Sequence, residues 1–327
     1  GSYNVALGVD ALRLNTTASY NTAVGYQALY TNTAGTNNTA IGYNAGISLT
    51  GDYSTLIGKS AGAGYGATAY ATHVGHLAGP AGASTGVRNT SVGASSLASV
   101  TGDYNTAMGF QALASNTTAS NNTAVGYQAG YSGTTGQYNT SLGAGSGYSN
   151  TTGQYNLFAG FNAGSSTTSD RNTFVGTGAG YYVTTGAKNT ILGEFTGNQG
   201  GLDIRTSSNY IVLSDGDGNP RQIIDSAGNV GLGVTPSAWT SSALQISAYT
   251  NLYGTNSGLS GLSSNSYFDG TNWRYRLSNV AARYEFGPAF GGHAWYNAPA
   301  GTAGNAITFT QAMTLLANGN LLVGTTT

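Results

Sequence analysis

Between residues 1 and 200 the apolar positions recur in short bursts of alternation, a period of two rather than the 3.6 of a helix. "SYNTAVGYQAL" (19–29) is followed by "TNNTAIGYNAG" (36–46), and later by "DYNTAMGFQAL" (103–113) and "SNNTAVGYQAG" (120–130). Aligned on the first position of the small motif, the copies start at Asn4, Asn21, Asn38, Ser54, Ala71, Asn89, Asn105, Asn122, Asn139, Asn156, Asn172 and Asn189, in steps of 16, 17 or 18 residues. Fixed self-similarity at this period is the mark of a stacked repeat. Glycine density and the period of two exclude a helix. The pattern predicts an all-β, parallel β-roll or solenoid, one 16–18-residue coil per repeat, each about 4.8 Å above the last.

Each column of the repeat has a physical reading. Three residues after the Asn position stands an apolar side chain in every copy, from Leu7, Val24 and Ile41 to Val175 and Leu192. One residue after it stands Thr in ten of the twelve copies. The two columns share one face of a strand, because strand side chains alternate. They are therefore expected inside the coil, which would keep the Thr rows away from ordered water or ice. The middle column (Ala6, Ala23, Leu56, His73, Phe158, Phe174) then points out. Glycine follows in every copy, from Gly8 to Gly193, where a corner needs positive φ or close backbone approach. Equivalent Asn residues are expected to form a ladder along the stack.

A core of one apolar residue, one Thr and one Ala per coil is thin against about 1–2 kcal/mol of backbone entropy per ordered residue. Self-association supplies the missing area, with the middle column as the second apolar stripe. A homotrimer is the expected assembly.

Composition narrows the partners. The 327 residues carry 52 Gly, only 6% charged residues and a net charge of −1. Ten scattered Lys and Arg cannot build a phosphate-binding surface, so no nucleic acid is expected. No apolar run approaches the roughly 20 residues of a membrane span, so no membrane insertion is expected. Cysteine is absent, which removes disulfides and thiolate metal sites. Gly1 opens on no leader pattern, the expectation for an internal or processed start.

"YNTAVG", "NNTAIG" and "DYNTAMG" resemble the head repeats of YadA-type trimeric autotransporter adhesins. That resemblance covers residues 1 to 200 and implies a left-handed parallel β-roll in a trimer. It departs from the family in two respects: Thr stands where the family has Val, and these coils are longer.

The repeat lapses near "GNQGG" (197–201), which divides the chain into a repeat shaft (1–200), a β connector (201–235) and a β-rich distal domain (236–327). "SNYIVLSDGDGNPRQIIDSAGNVGLG" (208–233) predicts three strands with turns at Asp215–Pro220 and Ser226–Asn229. Asn318-Gly319 predicts a closing hairpin. "GNVGLGVTPSAW" and "MTLLANGNLLVG" are similar to segments of phage tail fibres and tailspikes just upstream of an endosialidase-type intramolecular chaperone. The two resemblances together imply a trimeric phage tail fibre on the virion tail, attaching to a host-surface polysaccharide or other glycan and joined to phage tail proteins. A bacterial trimeric surface adhesin, or a purely structural spacer, is the alternative.

Chemistry is sparse. The coils hold the carboxylates Asp10, Asp52, Asp103 and Asp170, with Glu194 at their end, all far apart along the axis, whereas a glycosidase needs a close pair. Asp225, Asp269 and Glu285 could meet in the distal part, although no spacing recommends it. His73, His76 and His293 stand in no triad context; His73 and His76 are expected to be outward decoration. Asp215-Gly-Asp217-Gly-Asn219 opens like a calcium loop, but Ser226 stands where the bidentate carboxylate belongs. The expectation is no enzyme, no metal and no cofactor. Tyr3, Tyr20, Tyr53, Tyr70, Tyr104, Tyr138 and Tyr155 each precede the motif start, and these rings are expected to stack or to seal a seam between chains. The candidate ligand-binding residues are Tyr267, Trp273, Arg274, Tyr275, Arg276, Trp295 and Tyr296, where aromatic faces and guanidinium forks adjoin in a manner suited to sugars.

Overall fold

A computed structural model describes all residues except 65, 67–68, 83, 238–242, 247–249, 255–259, 288–291 and 325–327. The end of "GNVGLGVTPSAW", Ala238–Trp239, therefore lies outside the described residues. Every described element is β or turn. The chain divides into two compact units, Gly1–Asn198 with Asp203–Ser207, and Gln199–Leu202 with Ser208–Thr327.

The first unit is a β-solenoid. Twelve three-residue strands, β1 (Val5–Leu7) to β12 (Thr190–Leu192), pair in parallel and in register, each motif position over its counterpart in the next coil. The glycine after each strand fixes how closely the coils approach. Gly25 has φ 128°, and a Cβ there would stand 2.5 Å from the carbonyl oxygen of Gly42 in the next coil. The Asn column forms the expected ladder, with a particular geometry. Asn122 Oδ1 accepts the backbone N–H of Asn139 at 2.8 Å, and its Nδ2 donates to the carbonyl of Gly136 at 2.9 Å. Each side chain thus satisfies buried backbone groups of the coil above it. At Ser54 the ladder thins to one long bond, 3.4 Å from the Ala71 N–H to Oγ.

The inward face is the reverse of the expected one. From the second coil onward the middle column is buried: Ala23, Ala40, Leu56, Ala107, Phe158, Phe174 and Ile191 are all fully enclosed. The uniform apolar column faces out, with Ile41 39%, Met108 44% and Leu192 42% exposed, and the Thr column beside it is half-buried. The physical reason is space. A coil this narrow must share one small volume between the middle residue and the residue six positions later. Where the middle residue is Ala the later one is often Leu, as in Ala23/Leu29 and Ala107/Leu113. Where it is large the later one is Gly, as in Leu56/Gly62, His73/Gly79, Phe158/Gly164 and Phe174/Gly180. A Cβ on Gly164 would stand 2.3 Å from the Phe158 ring, and one on Gly180 2.4 Å from Phe174. The backbone there is left-handed in either case, φ 50° at Leu113 and 60° at Gly164. The Ala column three residues after the corner glycine fills the rest, with Ala28, Ala45, Ala129 and Ala163 fully buried.

His73 corrects a second expectation. It sits in this inward column, 1% exposed, with Nδ1 2.8 Å from Ser91 Oγ, and burial pushes its imidazole down to about 4. His76, by contrast, faces solvent.

The second unit is antiparallel but for one pair of strands. β13 (Asn198–Gln199) and β14 (Leu202–Asp203) form a two-residue ladder. β15 (Ile211–Ser214), β16 (Pro220–Ile224) and β17 (Val230–Leu232) form a meander, and β17 pairs in parallel with β18 (Ala243–Ile246). The sheet continues antiparallel through β19 (Thr250–Gly254), β20 (Ser260–Ser264), β23 (Ala281–Gly287), β24 (Gly292–Ala298), β25 (Thr310–Leu316) and β26 (Leu321–Val323). β21 (Ser266–Phe268) and β22 (Trp273–Tyr275) make a separate hairpin. The Asp215 turn is closed by protein donors. Its carboxylate accepts the N–H groups of Asp217 and Asn219 and an ion pair from Arg221, and chiefly the Asn219 N–H holds it near 2.

Two outcomes follow for the solenoid. Phe158→Ala is expected to cost about 3–5 kcal/mol, and Gly164→Leu alone at least a comparable amount, because ring and side chain claim one volume. Together they rebuild the Ala107/Leu113 arrangement, and the double variant should lose about 2 kcal/mol or less, a large coupling in a denaturation double-mutant cycle; additive losses would refute the shared-volume account. Secondly, His73 is neutral when folded down to about pH 4, whereas the unfolded chain protonates through about 6.5. Its contribution is complete above pH 6.5 and is lost between 6.5 and 4, about 3 kcal/mol in all. His73→Leu should remove that part of the pH dependence of the thermal midpoint.

Candidate functional site

In the second unit, strand alternation divides the seven sequence candidates among different surroundings. The β21–β22 hairpin is fixed by Asp269, which accepts the N–H groups of Thr271 and Asn272 and pairs with Arg274. Those donors, Asn272 first, hold the Asp269 carboxyl near 2. Arg274 also donates to the Gly304 carbonyl at 2.9 Å. Arg276 is half-buried, donating to the Thr235 carbonyl and Ser237 Oγ, and burial lowers its pKa. Both guanidinium groups are thus engaged in the scaffold.

Three of the aromatics are internal packing. Trp273 meets Tyr253, Phe268 and Phe309, with ring centroids 4.9, 5.7 and 5.8 Å away. Tyr275 is 5% exposed and donates its hydroxyl to the Pro299 carbonyl at 2.6 Å. Tyr296 lies against the Arg283 guanidinium at 4.2 Å, which also stands over Phe309 and Trp273. Arg283 pairs with the buried Glu285, which accepts the Tyr253 hydroxyl at 2.8 Å. Burial, then the Glu285 charge, raises the Tyr253 phenol well above its ordinary range. Tyr267 is half-buried beside the same cluster. Each carboxylate has partners of its own: Asp225 caps its turn through Ala227 and Asn229, Asp269 holds Arg274, and Glu285 holds Tyr253.

Trp295 joins a different aromatic run, and of the seven it shares the cleft beside that run with Tyr296. Its ring centroid is 5.0 Å from that of Tyr284, which in turn stacks on His293 at 5.8 Å and 7°. Beside this aromatic run opens a cleft of about 290 Å³, lined among others by Thr250, Leu262, Ser264, Tyr284, Trp295 and Asn297. An aromatic wall with a few hydroxyls and an amide is the chemistry of a small polar ligand site, and the volume suits one sugar ring or two. Sequence reading missed Tyr284 and His293 because it grouped residues by proximity in the chain. Alternation along "GHAWYNA" places His293, Trp295 and Asn297 on one side, and that signal was available.

The Tyr column of the first unit is stacked, as expected. Tyr3–Tyr20, Tyr53–Tyr70 and Tyr138–Tyr155 lie 5.0–5.1 Å apart and within 12° of parallel. Where a coil lacks Tyr, Arg88 sits between Tyr70 and Tyr104 at 5.3 and 5.4 Å. A second ladder runs through Tyr26–Tyr43 and Phe110–Tyr127. These rings spend their faces on one another and present edges to solvent, which makes them bracing for the stack.

No protein-family model, curated protein or solved structure matches the chain. Among the described residues no helix is long and apolar enough to cross a membrane, and no three His, Cys, Asp or Glu side chains cluster as metal ligands.

The two tryptophans are expected to behave differently. Trp273→Ala should destabilise the protein by about 3–5 kcal/mol, whereas Trp295→Ala should change stability by about 1 kcal/mol or less. Thermal unfolding followed by circular dichroism decides this, and equal losses would place Trp295 in the core.

Proposed function

We propose that the protein is a homotrimeric, non-enzymatic attachment fibre of a phage tail, with the solenoid as shaft and the second unit as the part that meets a host-surface glycan. The observation that carries this reading is the outward column of Val, Ile, Leu and Met beside a column of Thr. A soluble single chain rarely shows a continuous apolar surface beyond a few hundred Å². Twelve coils at about 4.8 Å, each contributing two outward residues some 7 Å apart, make a stripe on the order of 400–500 Å² before the flanking aromatics are added. Three copies packed along that stripe would bury it, and the missing core of each coil is made good by its neighbours. The resemblance of the coils to trimeric adhesin heads, and of the later segments to tail fibres, supports the same assembly. Low charge and a shaft held by main-chain bonds suit an exposed rod.

Glycan contact is assigned to the Trp295–Tyr284 cleft, where an aromatic surface meets hydroxyl and amide groups. A bacterial surface adhesin shares every feature of this reading, and a C-terminal membrane-anchoring barrel in the complete gene would favour it over phage. A purely structural spacer is favoured if the protein captures no host polysaccharide.

A second reading rests on the same outward Thr rows, whose orientation makes them available to water. On a chain that stays single, hydroxyl and methyl groups repeating about every 5 Å would favour an ice-contacting surface, and a monomeric mass with thermal hysteresis would support it.

Light scattering of the purified protein should give three times the chain mass. Val125→Lys, on the outward column, is expected to leave the secondary structure intact and to convert the trimer to monomer. A lysine there costs little in a free chain but several kcal/mol in a dry seam. A wild-type monomer overturns the fibre reading; a variant that remains trimeric moves the seam elsewhere.

A further inference from the structure

The end of the solenoid breaks its own pattern in one exposed place. Ten residues after the Asn position most coils carry a small polar side chain: Thr31, Ser48, Ser115, Ser132, Ser149 and Ser166. The last full coil carries Tyr182, which is 54% exposed. Its backbone is held as in the other coils, N–H to the Thr196 carbonyl at 2.9 Å, so the change is in the side chain only. The ring lies edge-to-face on Tyr181, centroids 4.8 Å apart, whereas serine serves at this position in the coils beneath.

Opposite this ring the closing segment brings two of the chain's few charges to the surface. Strand alternation buries Ile204 and turns Asp203 and Arg205 outward. The guanidinium grips the carboxylate in a fork, Nε to Oδ1 at 2.9 Å and Nη2 to Oδ2 at 2.7 Å, and the Arg205 N–H adds a third bond to Oδ1 at 3.1 Å. Those bonds hold the Asp203 carboxyl below its usual range, so it stays an ionised acceptor. Nη1 of Arg205 donates to no group among the described residues. Thr184 Oγ1 donates to the Arg205 carbonyl at 3.2 Å and keeps its lone pairs for a ligand. Val183 and Ile204, the chain neighbours of these residues, are fully buried and anchor them.

We propose that the cleft of about 340 Å³ lined by Tyr182, Thr184, Asp203, Arg205 and Thr206 binds a neutral sugar. An aromatic ring supplies the apolar face that a pyranose needs, and the oriented carboxylate, guanidinium and hydroxyls match its ring of hydroxyls. The ligand is neutral because the fork already cancels the two charges. This deepens the glycan-attachment reading and rests on it for its biological use, but the site is separate from the Trp295 cleft.

Saturation-transfer NMR on the intact protein with millimolar glucose, galactose, mannose, N-acetylglucosamine and N-acetylneuraminic acid tests it. With the Trp295→Ala variant as the background, which removes the other cleft, transfer to at least one neutral sugar is expected, and adding Tyr182→Ser or Asp203→Asn should weaken binding at least tenfold. Tyr182→Ser installs the residue of the preceding coils and should keep the thermal midpoint. The proposal is overturned by no transfer to any neutral sugar, by transfer to the acidic sugar alone, or by binding that survives Tyr182→Ser. Loss in Trp295→Ala but not in Tyr182→Ser would overturn it while leaving the attachment reading standing.

Discussion

The distance between successive coils governs the first unit. In-register parallel strands set it near 4.8 Å, and the chain has accepted what that spacing demands. A glycine stands at each corner because any Cβ would collide with the carbonyl above. An Asn side chain reaches along the axis to satisfy backbone groups that no water can reach. With the walls so close, the interior cannot be filled freely. One large side chain per coil is admitted, and its partner six residues on is then reduced to hydrogen.

The outer surface follows from the same spacing. Any column that faces out repeats at the interval of aromatic stacking, so tyrosines become ladders and an arginine can take a tyrosine's place without breaking the line. The uniform aliphatic column is a different matter, since among the described residues much of it stays open to solvent. Regular columns are scaffold, and recognition chemistry is better sought where a column is interrupted, as at Tyr182.

The second unit obeys another rule. Its sheet is mainly antiparallel, and in its mixed interior Glu285 holds both Tyr253 and Arg283 while rings enclose the guanidinium, whose Nε is left without an acceptor among the described residues. The polar centre fixes which face is inward. It thereby leaves Tyr284, His293 and Trp295 on the other side.

The sequence by itself determined the all-β class, the coil period, the parallel register, the Asn ladder, the corner glycines and the stacked tyrosines, because all of these are consequences of a local pattern repeated at a fixed interval. It did not determine which side of the strand is the inside. Alternation separates two faces without saying which is buried, and an apolar column serves equally as core or as seam. The pairing of Leu56 with Gly62 and of Ala107 with Leu113 carried the answer, but only when read as a shared volume across a turn. Likewise Trp273, Arg274, Tyr275, Arg276 and Trp295 are neighbours in sequence type and strangers in space. Pleating and the buried Arg283–Glu285 pair divide them, and that division exists only once the strands have met.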